Sequence, residues 1–427
     1  MELINKIFQG DKVVWTVFLF LCLISLVEVF SATSTLTFST GDYWAPFRRH
    51  GLFLIGGALL AWCVQFFPLR VFKLAPLLLL ISWIFLGLLL AGFGKEINDG
   101  ARWFNLFGIP FQPSELAKMG LVITTAFALS FLQGDNGALP NAFKFVLWPA
   151  GITLALIAPE NLSTALILGC VVFLMMFIAH VPWRQMAKLT GVLVAAGVLF
   201  GTFLIVTPTE TLEKIPLLEQ RGPTWKKRIL NFTDKEHKTV PPEQFDIQSK
   251  ENYQIGHANI AITSGGFIGR GPGNSKERDF LPQAYSDFIF AIILEELGLL
   301  AGAGIIFLYL ILLIRTAKIA NKCDKDFPAL MAIGIALLIV TQALVNMMVA
   351  VGLSPVPGQP LPLISRGGTS TLINCVYIGI ILSVSRYNHI QAEKKRALEA
   401  GDTEKAEQLE EIGKGLEREP EPASTDK

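Results

Sequence analysis

The sequence predicts an all-α polytopic membrane protein with ten transmembrane helices and a large extracytoplasmic loop between helices 7 and 8. Three observations carry that prediction. Of the 427 residues, 52% are hydrophobic and only 17% charged, too apolar a balance for a water-soluble chain of this length. Apolar runs near the length that crosses a hydrocarbon core, about 17 to 25 residues, recur ten times. The short connections between them alternate between rich and poor in Lys and Arg.

The runs lie near 13–33, 50–67, 71–93, 114–132, 143–158, 162–181 and 189–207, then near 287–314, 328–352 and 370–386. The fifth is interrupted by Pro149 and Gly151. The first follows Lys12, contains Glu28 and has no small-residue cleavage site cleanly after it, so it reads as a retained helix. One set of connections collects Lys6, Lys12, Arg70, Lys73, Lys144, Arg184, Lys188, Arg315, Lys318 and Lys322; the other holds Arg48, Arg49, Lys95, Arg102 and Arg366. The positive-inside rule then places both termini in the cytoplasm.

Residues 1–390 form the membrane domain on this reading, with the extracytoplasmic loop at 208–286. The first half of the loop, KIPLLEQRGPTWKKRILNFTDKEHK, is basic; the second, IGHANIAITSGGFIGRGPG at 255–273, carries Ile260, Ile262, Phe267 and Ile268 and is expected to fold back on the membrane surface. Residues 391–427, rich in Glu and Lys, read as a charged cytoplasmic tail, a frayed helix followed by disorder. The five cysteines fall in predicted helices or on the cytoplasmic side, which leaves no external disulfide framework, and the five histidines are too scattered for a metal site by spacing. The net charge of +1 says nothing about partners; membrane lipid is one, and no nucleic acid is expected.

Three segments at the outer face combine polar side chains with helix ends. In NDGARWFNLFGIPFQPSELAKMG, Ser114 is the expected N-cap, Glu115 lies in the first turn and Lys118 follows three residues later, either as an interfacial ion pair or as part of a site that also includes Arg102. In FLPQAYSDFIFAIILEELGLLAG, Asp287 reads as a helix cap or as a lone functional acid. On one continuous helix, Glu295 would share its face and Glu296 would point nearly opposite. In GLSPVPGQPLPLISRGGTS, four prolines forbid a regular helix, and irregular backbone at membrane depth is tolerated only when buried in protein or lining a cavity. An acid beside cations that neutralise a departing phosphate is what transfer from a lipid diphosphate to a sugar hydroxyl requires.

Four blocks, FQPSELAK (111–118), SGGFIGRGPGN (264–274), LPQAYSDFIFAIILEELG (281–298) and PLPLISRGGTS (360–370), resemble, in order, the signatures of the SEDS family of bacterial peptidoglycan polymerases. The resemblance implies a ten-helix protein of the bacterial cytoplasmic (inner) membrane that polymerises lipid II into undecaprenyl-linked glycan, with undecaprenyl diphosphate as leaving group. It further implies Asp287 as the essential catalytic aspartate, with Lys118, Glu115, Arg102 and Asp279 as substrate-binding positions. A divalent cation, Mg or Mn, is the one cofactor considered. The implied partners are a class B penicillin-binding protein and other divisome proteins, since the stretch from Asn346 to Ser370 is more similar to the division-specific branch than to the elongation branch. The chain departs from the usual blocks at Gln283, Tyr285 and Ser286, at PENLST (159–164) and at Arg366, where the family commonly has Tyr. A lipid carrier, to which Glu28 would belong, and a division scaffold, to which the tail would belong, are the alternatives from other classes.

Overall fold

The computed structural model describes residues 9–33, 42, 44–94, 103–106, 109–134, 137–212, 214–215, 222–233, 253–354 and 358–417. The chain is predominantly helical in these. In order, α1 is Lys12–Ala32, α2 Ala45–Val64, α3 Leu69–Phe93, α4 Pro113–Phe131, α5 Ala142–Ile157, α6 Leu162–Ile178 and α7 Trp183–Val206. Then follow α8 Gly222–Thr233, α9 Tyr253–Gly265, α10 Ile289–Ala320, α11 Asp326–Ala350, α12 Thr369–Glu399 and α13 Thr403–Glu417. Seven of these, α1, α3, α4, α7, α10, α11 and α12, are long and apolar enough to cross a membrane. α5 and α6 are apolar but shorter, at 16 and 17 residues, and α2 carries Arg48, Arg49 and His50 near its start.

Local chemistry explains the boundaries. Asp11 caps α1 by accepting from the Val13 and Val14 N–H groups at 2.9 and 3.2 Å, which satisfies amides with no helical partner. α4 opens on Pro113, whose missing N–H costs nothing at a first helical position; its N-cap is Gln112, two residues earlier than the Ser114 cap expected from the sequence. Pro149 does not interrupt α5, which runs continuously through it and through Gly151. The Thr153 hydroxyl donates to the Pro149 carbonyl at 2.7 Å and accepts from Trp83 Nε1 at 2.8 Å, tying α5 to α3.

α11 is the interior helix: it packs on α10, α4, α6 and α12, while α10 also lies against α1 and α9. α7 is the opposite case, with only Met186 and Leu204 buried along its 24 residues. A short antiparallel hairpin, β1 (Phe104–Leu106) and β2 (Ile109–Phe111), precedes α4, and Phe85 of α3 packs edge-on against Phe104 and Phe111. The tail holds more helix than a frayed end: α12 runs on to Glu399, the chain turns at Gly401, and α13 folds back on α12, with Lys394 and Glu410 paired at 3.0 Å. Residues 418–427 lie outside the described residues.

Candidate active site

The Asp287 segment is a run of turns over 281–288, locked from below by buried Leu281, Ala284 and Phe288. α10 starts only at Ile289; its N-cap is Phe288, and no side chain caps it. Asp287 therefore is not the helix cap that its position after Ser286 allowed. The carboxylate is half-buried at the head of α10 and accepts from the Ser286 hydroxyl at 3.1 Å.

What holds this turn in place is the proline-rich loop between α11 and α12. The Arg366 N–H donates to the Tyr285 carbonyl at 3.1 Å, and the Ser365 hydroxyl donates to the Ser286 carbonyl at 2.7 Å while accepting from the Leu361 N–H at 2.8 Å. Asn346 of α11 adds the third tie, its Nδ2 donating to the carbonyls of both Asp287 (3.1 Å) and Gln359 (2.8 Å). The loop itself is anchored on three sides. Gln359 Nε2 donates to the Thr164 hydroxyl of α6 at 2.5 Å, the Tyr309 hydroxyl of α10 donates to the Pro362 carbonyl, and the Ser25 hydroxyl of α1 donates to the Ile364 carbonyl at 2.6 Å. Leu361, Leu363 and Ile364 are fully enclosed, so this irregular backbone meets the condition that membrane depth imposes: its polar groups are satisfied inside protein.

Lys118 and Glu115 of α4 form an ion pair at 2.7 Å, both buried, with the Tyr377 hydroxyl of α12 directed at the Glu115 carbonyl at 3.5 Å. The Lys118 side chain does not snorkel to the surface; it is among the largest fully enclosed side chains in the molecule. Asp279 sits in a single helical turn, Glu277–Asp279, just ahead of the Asp287 segment; it is exposed and 3.9 Å from the Arg278 guanidinium. Arg102 lies outside the described residues. Among the described residues no group of three or more His, Cys, Asp or Glu side chains is placed to hold a metal.

Glu295 and Glu296 have a different task from Asp287. Gly298, at φ 78 and ψ 177, breaks α10 after its first turns, and the 264–279 segment threads into the break. Arg270 and Gly271 donate their N–H groups to the carbonyls of Glu295 and Glu296, at 3.0 and 2.8 Å, and Leu299 and Leu300 donate back to Gly266 and Phe267. The Glu295 carboxylate accepts from the Lys276 and Glu277 N–H groups, the Ser275 hydroxyl and Arg270; that of Glu296 accepts from the Gly273 and Ser275 N–H groups and the Ser31 hydroxyl of α1. Both are wholly buried acceptors that pin the loop to α10, not partners of Asp287 on one helix face. Glu28 is enclosed as well, and neither of its oxygens has a hydrogen-bond partner among the described residues.

The family model for FtsW, RodA and SpoVE, described as cell cycle protein, matches residues 11–390. The chain belongs to this family. It is 32% identical over 374 residues to a probable peptidoglycan glycosyltransferase FtsW of Halomonas elongata, covering 85% of this chain and 87% of that one. Against a protein of the same name from Halothiobacillus neapolitanus it is 30% identical over 404 residues, covering 92% and 90%. Among solved structures it is similar to a chain of a peptidoglycan synthase complex that coordinates polymerization and crosslinking (TM-score 0.66, 26% identity, 89% of this chain and 98% of that one). It is also similar to the rod shape determining protein RodA of Thermus thermophilus (TM-score 0.60, 25% identity, 88% and 97%).

Of the residues singled out in the sequence of this FtsW/RodA/SpoVE member, the structure places Asp287 and the proline loop together and seats Lys118 with Glu115. It puts Asp279 on the surface of the segment before them. Sequence reasoning missed Asn346, Gln359 and Thr164, the polar residues that tie the Asp287 turn and the proline-rich loop to α11 and α6. Their only signal was a polar residue within an otherwise apolar run, which Asn346 gives in VNMMVAV.

Proposed function

We propose that the chain acts as a peptidoglycan glycosyltransferase that polymerises lipid II, with Asp287 as general base. The assignment as a peptidoglycan glycosyltransferase follows from the family, the relatives and the synthase-complex fold. The observation that supports the finer role is the placement of Asp287: a half-buried acid just outside α10, on a turn clasped to a buried loop. In the reaction Asp287 takes the proton from the acceptor sugar hydroxyl, the resulting oxygen attacks the anomeric carbon of the donor glycan, and the bond to undecaprenyl diphosphate breaks. Cations near the departing diphosphate stabilise its charge; Lys118, Arg102 and Asp279 remain the proposed substrate contacts, and Glu115 holds Lys118.

Lipid II polymerisation by the purified protein, with a transpeptidase partner, tests the role. Asp287→Asn is expected to lower the rate by about 100-fold or more at unchanged thermal stability, the usual range for a lost general base. A folded variant at the wild-type rate would overturn it.

The remaining reading is finer still. Counting α2, α5 and α6 with the seven long apolar helices gives ten spans, a 208–286 loop between the seventh and eighth, and both termini in the cytoplasm of a bacterial inner membrane. A class B penicillin-binding protein is the proposed partner, by analogy with the synthase complex, and septal synthesis with other divisome proteins is the proposed setting because the relatives bear the FtsW name. An elongation polymerase of the RodA kind is the near alternative, and the crystal structure of RodA shares the fold.

A further inference from the structure

Arg366 is held on the turn that carries Asp287 and has no counter-ion among the described residues. Its backbone N–H binds the Tyr285 carbonyl and the neighbouring Ser365 hydroxyl binds the Ser286 carbonyl, a two-rung clasp that sets Arg366 against Tyr285, two residues before Asp287. The guanidinium lies over the Tyr285 ring, 5.5 Å from its centre, an orientation that fixes the planar fork from one face. Its Nη1 is hidden from bulk solvent and has no hydrogen-bond partner among the described residues.

The charges around it sharpen the point. Burial holds the Arg366 guanidinium below its ordinary value; the Tyr285 hydroxyl works the other way, and the Arg49 guanidinium adds to the effect of burial by repulsion. Arg366 stays a cation regardless. The guanidinium is partly buried with an idle Nη1, a desolvated donor that an anion would satisfy. Tyr285 and Arg366 are moreover two positions where this chain departs from the usual blocks, and they touch each other.

We propose that Arg366, on the loop clasped to the Asp287 turn, is an anion subsite that takes the diphosphate of a lipid-linked donor, with Tyr285 positioning the guanidinium. The clasp supplies register, the ring supplies orientation and the idle Nη1 supplies a donor for a phosphate oxygen. The proposal rests on the polymerase reading for the identity of the donor, and on geometry alone for the subsite.

Two measurements on the full-length protein in detergent test it. Direct binding of undecaprenyl diphosphate, compared with uncharged undecaprenol, is expected to weaken about tenfold in Arg366→Gln, the scale of one charge-assisted hydrogen bond. Undecaprenol binding is expected to stay constant, and Arg366→Lys, which keeps the charge, to lose less. In turnover, Arg366→Gln is expected to raise KM for lipid II more than it lowers kcat. Equal diphosphate binding by wild type and by a folded Arg366→Gln overturns the subsite, even if polymerisation proceeds. Displacement of the diphosphate by an equal concentration of phosphatidylglycerol marks a membrane-headgroup site and overturns the donor assignment. Absence of polymerisation by the wild type defeats the polymerase reading instead, while the binding comparison still decides the subsite.

Discussion

At the residue scale, the buried Lys118–Glu115 pair separates structure from function. Both side chains are enclosed, so removing one partner leaves an uncompensated charge inside the protein, at a cost of about 3 to 5 kcal/mol. Lys118→Met is therefore expected to lower the melting temperature sharply, whereas Lys118→Met combined with Glu115→Gln, which removes both charges, is expected to recover most of it. Polymerisation tells the two roles apart. If Lys118 contacts the leaving diphosphate, the double variant is stable and still slow; stability and rate returning together would reduce the pair to packing. Asp287 differs, because its carboxylate lies half-buried at a helix head and accepts from the Ser286 hydroxyl. The position of its turn is set through backbone carbonyls, by Asn346 and Ser365.

At the element scale, the joint between the 264–279 segment and α10 explains why the sequence is dense in glycine there. A Cβ on Gly265 would lie 1.9 Å from the Leu294 carbonyl oxygen, and one on Gly269 would lie 2.2 Å from that of Glu296. Gly298 occupies a backbone region essentially reserved for glycine, and a Cβ there would meet the Phe267 carbonyl at 2.5 Å. Backbone is on both sides of each contact, so nothing flexible can give way. Gly265→Ala and Gly298→Ala are each expected to destabilise by more than about 2 kcal/mol, the strain of a forbidden backbone region plus the clash, and to cost polymerisation through misplacement of Asp287 nine residues or more away along the chain. Glu296→Ala is expected to do the same by leaving the Gly273 and Ser275 amides without their acceptor. Gly266→Ala, where an added Cβ meets nothing within 4 Å, is the milder control, although its φ of 58 still carries strain. Thermal unfolding of the purified variants checks the order; Gly265→Ala with wild-type stability would remove the joint from the account. The helices themselves were legible because apolar length and bounding prolines are local properties: α1 and α3 to α6 begin within two residues of their predicted starts, and α7 six residues earlier. The break at Gly298 was not legible, since an apolar run with scattered glycines, here Gly298, Gly302 and Gly304, reads as a single helix until the partner that inserts there is known.

At the scale of the whole molecule, the site belongs to one end of the bundle. α10 links the two ends: Asp287 stands at its head and Lys318 and Lys322 at its foot. The bias of Lys and Arg between connections predicts which end faces the cytoplasm, and the sequence made the blocks around Asp287 readable in order. It did not reveal the clasp between Tyr285–Ser286 and Ser365–Arg366, because that pairing joins residues about eighty positions apart through backbone groups that every sequence shares. The tail misled for a related reason: Glu- and Lys-rich segments resemble disorder in composition, yet α13 has a place to pack, with Ala397 and Ala406 buried between it and α12. The orientation of the whole follows from one measurement. Lys276, exposed on the segment that caps α10, is expected to face the outside, and Lys322 the cytoplasm. In intact cells, Lys276→Cys is expected to react with a membrane-impermeant maleimide, and Lys322→Cys only after the membrane is opened. The reverse pattern would place Asp287 on the side where nucleotide-linked precursors are made, away from any growing glycan strand, and the polymerase reading of this site would fail with it.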